Sequence, residues 1–443
     1  VLTTLLPYLN LLGLAVIGLL ISVIFSLIPA LHIYNVAGFA LLLYAANPDL
    51  FTGQQLAMFM LGMVVGYAML NTLPAIFLSA PDDSMAFAVL PAQQFLLNGR
   101  GFEAVVLVGL GSLGGVFVLL LLSPFIAPLL SPMRSLIGPH LHWILGVICV
   151  YMILSEWPFS TGEGNEMVRF RKAWSQLLAG ALTFLLSGII GFIVFNRSFV
   201  PLEKSYQNLL PAFTGFFAVP ALLHTIFFGK RPPKQTVSNH LNLTYDLLWR
   251  GVVSGAMGGL FAAFVPVVTA GIGGLMAGHA TAQRDERIFI ISQGASKFLY
   301  FVGAYLLFFV PGFNLQRGGL ASMVGTIHRA VTPSEYQLSL AVLAITGGLS
   351  FLILVVLARF FAKHVHKFDH RIIAGFSLLA VLLVVGGVTG GGGLLVMLVC
   401  TPVGLIPIFW KTRRMHCLAV LMLPITLNMA GLSDPILRLL GLM

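Results

Sequence analysis

Charge is what this sequence has least of. Asp, Glu, Lys and Arg make up 9% of its 443 residues, against 58% hydrophobic residues, and mean hydropathy is +0.98. A soluble domain devotes about a quarter of its residues to charge, so composition excludes a soluble fold. Cysteine is also scarce. Cys149, Cys400 and Cys417 lie in or beside apolar runs with no CxxC or paired spacing, which reads as free thiols and not as a disulfide framework or metal cluster. There is no His-Glu-x-x-His, and the glycines of 389–393 are not followed by Gly-Lys-Ser/Thr, so zinc-protease and phosphate-loop chemistry have no support. The period-two alternation of a membrane barrel is missing. No catalytic residue, metal ligand or cofactor is expected.

Long apolar runs are abundant. They fall at about 9–28, 30–46, 55–80, 102–130, 140–157, 174–195 and 209–228, and again at about 247–264, 266–282, 288–310, 336–361, 371–388, 393–410 and 416–432. Many reach the roughly 20 residues a helix needs to cross a bilayer. Backbone groups must pair internally in lipid, so these runs are expected to be helices. The fold class is an all-α polytopic membrane protein. The first run has no cleavage-like site and reads as a retained segment, not a signal peptide. Between the two sets lies a polar, basic stretch, 229–246, containing GKRPPKQTVSNHLN. It divides a first membrane repeat, 1–228, from a second, 247–443, and is expected to be a cytoplasmic linker.

The two sets correspond in order. Each opens with a run broken by proline, at Pro29 and at Pro266. Each continues with a run ending in proline, Phe59 to Pro81 and Phe289 to Pro311, with equal spacing. Such ordered likeness is expected of an internal repeat. Each broken pair is either a re-entrant hairpin or two full crossings, and so contributes an even number of passes. Five runs follow, so each repeat crosses an odd number of times and the two must be inverted. Loop charge agrees. With the N-terminus on one side, 17 Lys and Arg residues fall in loops on the opposite side and 6 on the same side. The basic side is the cytoplasm, which places both termini outside the cell membrane. The +10 formal charge is thereby a matter of orientation, and no nucleic-acid partner is implied.

Candidate site residues cluster at the breaks. Proline removes a backbone donor and disfavours helix just before it. A helix that restarts after such a break presents free N–H groups and the positive end of its dipole, an anion site near the midplane. Pro29 with His32 and Asn35, and Pro266 with Thr269 and Gly271, are therefore candidate substrate contacts. The alternative is a pair of ordinary short turns between full spans. Lys297 is the one basic residue deep in an apolar run. Burying it costs at least about 2.5–3.5 kcal/mol, so it must face a partner or cavity, with Gln293 beside it. Asn71 lies in the matching run of the first repeat and serves either a substrate or an interhelical bond. The cluster His364, His366, Asp369 and His370 is dense enough for a metal, but its basic neighbours favour a solvated loop.

The Gly-rich run into Pro29 and the run into Pro266, together with SGIIGFIV, LPAFTGFFAVPALL and PVGLIPIFWKTRRMHCLAVLMLP, give a resemblance. The chain resembles the large permease (TctA-like) family of tripartite tricarboxylate transporters, closest to its shorter archaeal-type branch, and more distantly the polyprenyl-phosphate transporter family. In the family pattern glycine follows both hairpin prolines, where this chain has Ala30 and Val267. The resemblance implies a permease for an organic anion, a carboxylate first, working by ion-coupled alternating access. It also implies a small permease subunit and an external binding protein as partners, and allows a homodimer. The alternatives are a translocase for a lipid-linked phosphate and a non-transporting subunit of a larger complex.

Overall fold

The computed structural model describes residues 2–28, 31–78, 89–157, 165–200, 207–229, 231–238, 240–310, 319–328 and 332–443, and within them it is helical with no strand. In chain order the helices are α1 (Leu2–Ser26), α2 (Ile33–Ala46), α3 (Gly53–Leu70), α4 (Thr72–Phe77), α5 (Val89–Leu97), α6 (Gly101–Ile137), α7 (Leu141–Leu154), α8 (Glu166–Asn196) and α9 (Leu210–Phe213). They continue as α10 (Val219–Phe228), α11 (Tyr245–Phe264), α12 (Ala270–Ala280), α13 (Glu286–Leu306), α14 (Gly319–Ile327), α15 (Pro333–His364), α16 (His370–Trp410), α17 (Ala419–Met429) and α18 (Ser433–Leu439). Eight spans among the described residues are long and apolar enough to cross a membrane.

The apolar runs differ from the helices in three places. Runs 102–130 and 140–157 join through α6, whose 37 residues carry Pro124, Pro128 and Pro132, and a short 3-10 turn at Gly138–His140. Runs 371–388 and 393–410 form α16, broken at Gly390, where φ is 68° and ψ −165°. Glycine adopts that backbone without steric cost, so the helix can kink sharply there. The segment at 214–218 is a π-helical turn between α9 and α10.

Helices sort into two compact units, and each draws on both sides of the basic linker. The first comprises Val1–Ser135 and Arg231–Asp369, the second Leu136–Lys230 and His370–Met443. In the first unit, α3 packs on α1 and α13 packs on α11. Small residues allow both approaches. A Cβ at Gly62 would lie 1.9 Å from the Ala15 carbonyl oxygen, and one at Gly255 would lie 2.3 Å from that of Ser292. Such close contacts are what holds helices together in lipid, where hydrophobicity favours no partner. The linker is pinned in place. The Gln235 amide donates to Leu96 O, its Oε1 accepts from Gly101 N, and Thr236 N donates to Gly99 O.

The second unit contains α7–α10 and α16–α18. Its outer surface is apolar, with Leu178, Leu182, Leu185 and Ile189 exposed along one face of α8, as lipid contact requires. Inside it Glu156 is buried. Its Oε1 accepts from Arg413 N at 2.9 Å and pairs with His416 Nε2 at 2.9 Å, while Arg413 Nη1 donates to Ser155 Oγ and O. This staple fixes the end of α7 to the segment before α17.

Candidate anion-binding site

The site forms on α13, which is buried along most of its length inside the first unit. Asp285 starts the helix: its Oδ1 accepts from Arg287 N, and the Arg287 guanidinium returns two bonds, Nε to Oδ1 at 3.1 Å and Nη2 to Oδ2 at 2.7 Å. These bonds hold the Asp285 carboxyl below the usual carboxylate range. Arg287 Nη1 also donates to Asn242 O at 2.6 Å, tying the linker to the helix start. The pair Asp285-Glu286 thus serves a helix cap.

Lys297 is fully buried on α13. Its Nζ donates to Asn71 Oδ1 at 3.1 Å and lies 5.5 Å from the Tyr67 ring centroid, within cation–π range. Asn71 occupies the joint between α3 and α4 and is itself buried. Two residues identified separately in the sequence, on opposite sides of the basic linker, are therefore direct partners. Around Lys297 stand aromatic walls. Tyr67 and Phe301 meet edge to face at 5.9 Å, and the His32 ring lies 5.2 Å from Tyr67 and 5.8 Å from Phe301. His32 caps α2, accepting from Tyr34 N through Nδ1 at 3.2 Å.

One turn before Lys297, on the same helix face, Gln293 is also fully buried. Both its amide atoms lack a hydrogen-bond partner among the described residues. It abuts α12: a Cβ at Gly274 would come within 2.5 Å of Gln293 Nε2. Ser296 Oγ donates to Ala270 O at 2.8 Å and fixes the first turn of α12 against α13. Thr269, the N-cap of α12, is extended but its hydroxyl makes no cap bond. That hydroxyl is buried and unpaired, as is the one on Thr72 beside Asn71. Each such orphan costs about 1–3 kcal/mol. Polar atoms held dry and unpaired around a buried cation can accept and donate to an anion bearing several oxygens.

The other expected residues are placed as follows. Pro266 sits in the turn between α11 and α12, followed by Val267 at φ 57°. That left-handed backbone is strained for a β-branched residue, and glycine would fit it freely. Gly271 is buried in the first turn of α12, and Asn35 is half-buried in the first turn of α2. Pro29 and Ala30 lie outside the described residues. His364 bonds Phe360 O at 2.8 Å and its ring lies tilted against that of Phe360, 4.5 Å between centroids, and among the described residues no three His, Cys, Asp or Glu side chains converge as a metal site. Sequence reasoning missed Tyr67 and Phe301. It also missed the part-buried pair His328 Nε2 and Glu335 Oε1, 2.9 Å apart, which Gln54 Nε2 joins at 3.1 Å. The capping box Thr332-x-x-Glu335 was a local signal for the last.

An all-helical chain with these spans is a multi-pass membrane protein. Its residues 12–419 match the profile of the "Tripartite tricarboxylate transporter TctA family", and the chain belongs to that family. It is a membrane transport protein of the permease type. An uncharacterized protein of Methanocaldococcus jannaschii is 24% identical over 424 residues, covering 94% of this chain and 98% of the relative. No solved structure matches the chain.

Proposed function

We propose that the chain carries a small organic anion, a carboxylate, across the cell membrane by ion-coupled alternating access, with Lys297 at the centre of the binding site. The observation that carries this reading is a fully buried lysine bonded to Asn71, with polar atoms of Gln293 on the same helix, of Thr72 beside Asn71 and of Thr269 at the start of α12 that have no hydrogen-bond partner among the described residues. A dry cation strengthens any interaction with an incoming anion, because the local dielectric is low. Membership in a tricarboxylate transporter family makes a tricarboxylate the first substrate to test. The family points to a small membrane subunit and an external binding protein as partners that would deliver substrate to the chain.

Two inverted repeats are part of the proposal. Under the equal spacing of Phe59–Pro81 and Phe289–Pro311, Tyr67 corresponds to Lys297 and Asn71 to Phe301. All four residues meet where α3 packs on α13, as expected of repeats that share a site. Helices α2 and α12, with 14 and 11 residues, rise about 21 and 17 Å. Both fall short of the roughly 30 Å hydrocarbon core, which supports re-entrant hairpins. The basic loops belong in the cytoplasm. Single cysteines replacing Ser238 and Ser433 test this in intact cells: Ser433→Cys should label from outside and Ser238→Cys should not, and the reverse would refute the orientation.

Citrate binding and uptake by the purified, reconstituted chain tests the function. Lys297→Met keeps the volume and removes the charge; affinity should fall about a hundredfold, in line with truncating one partner of a buried charged contact. Lys297→Arg should keep part of it. Wild-type binding by a folded Lys297→Met variant would remove the lysine from the site.

A further inference from the structure

We infer that a groove between α8 and α16, in the second unit, binds an anionic phospholipid. The groove has a volume of about 570 Å³ and a polarised lining. At one end lie Phe170, Arg171, Trp174 and Trp410; further along, Leu178 and Leu182 make it purely aliphatic. Trp410 is the last residue of α16 and Arg171 lies in the second turn of α8, so the aromatic and cationic end coincides with the ends of both helices. From Arg171 to Leu182 the α8 wall rises about 17 Å, close to the roughly 15 Å of one leaflet's hydrocarbon. The dimensions suit one acyl chain lying beneath its headgroup.

Three features favour a lipid with net negative charge. Arg171 lines the mouth, Arg169 and Lys172 flank it on α8, and Lys411 follows Trp410 and is exposed. Trp174 is braced edge to face by Trp157 at 5.9 Å and by Phe170 at 6.1 Å. A fixed indole at this level can seat against the glycerol region, where tryptophan is enriched. The groove's own floor is apolar and open on its outer side, so a soluble anion would leave most of it uncovered, whereas a lipid covers both ends at once.

The test is native mass spectrometry of the full purified chain with phosphatidylglycerol or phosphatidylcholine of the same acyl composition. Phosphatidylglycerol should be retained about fivefold better, the effect of roughly one favourable basic contact. Arg171→Gln, an exposed position, should elute as wild type and bring the ratio near one. Trp410→Ala, on the opposite wall, should reduce retention of both lipids while keeping their ratio. Equal retention of the two lipids by the wild type, an intact preference in Arg171→Gln, or release of phosphatidylglycerol by free glycerol 3-phosphate would each overturn the assignment.

Discussion

Helices α2 and α12 both begin just after a proline-broken run of the first unit, yet their first turns are built differently. At α2 the N-cap is His32, with φ −80° and ψ 138°, and its own ring nitrogen accepts from Tyr34 N. The same ring packs against Tyr34, Tyr67 and Phe301. At α12 the N-cap is Thr269, with φ −87° and ψ 164°, an equally extended backbone. Here the side chain caps nothing and its hydroxyl is buried without a partner. The first amides of a helix point outward along its axis and need an acceptor. Helix α2 supplies one from its own sequence. At helix α12 the N-cap side chain leaves the first turn uncapped, and that turn meets α13 at Ser296, next to Lys297. Two proline breaks in the sequence are thus followed by a self-capped start and an open one, and under the proposed function the open one is the anion subsite.

The largest expected effect that sharpens this comparison is at Gln293. Gln293→Leu removes an amide that has no partner in the protein, so thermal stability in detergent should hold or rise, while citrate affinity falls about tenfold, the worth of one buried polar contact to a charge. A structural amide would give the opposite pattern, lower stability with binding intact. Next comes a paired test of the two caps. Thr269→Val keeps the shape and removes an orphan hydroxyl, and should stabilise by about 1 kcal/mol while weakening binding. His32→Ala removes a working cap, and should destabilise by about 1 kcal/mol with affinity within about twofold of wild type. If both variants shifted stability in the same direction, the two starts would not differ in the way described.

Much of the framework was legible because its causes are local. Proline breaks at Pro266, the glycine kink at Gly390 and the apolar length of each span follow from a few adjacent residues. A charged side chain in an apolar run, such as Lys297, stands out for the same reason, as does its need for a partner. What its partner is did not follow, because Asn71 is 226 positions away and the pairing depends on how α3 crosses α13. Tyr67 and Phe301 were invisible for a related reason: in a run this apolar an aromatic ring has no contrast, and only the contact of Tyr67 with Lys297 and of Phe301 with Tyr67 distinguishes them. Glu156 was hidden differently. Its significance lies in bonds to Arg413 and His416, and no spacing rule links residues so far apart. The difference between the two helix starts was also beyond reach, since whether His32 or Thr269 turns inward to cap its own helix is settled by packing.

Hydrogen exchange of the purified chain, with and without saturating citrate, tests the central claim most directly. The account predicts that citrate slows exchange at the amides of 270–272, at the start of α12, and leaves those of 33–36, at the start of α2, nearly unchanged. Protection confined to 33–36, or citrate binding with no change at 270–272, would contradict it.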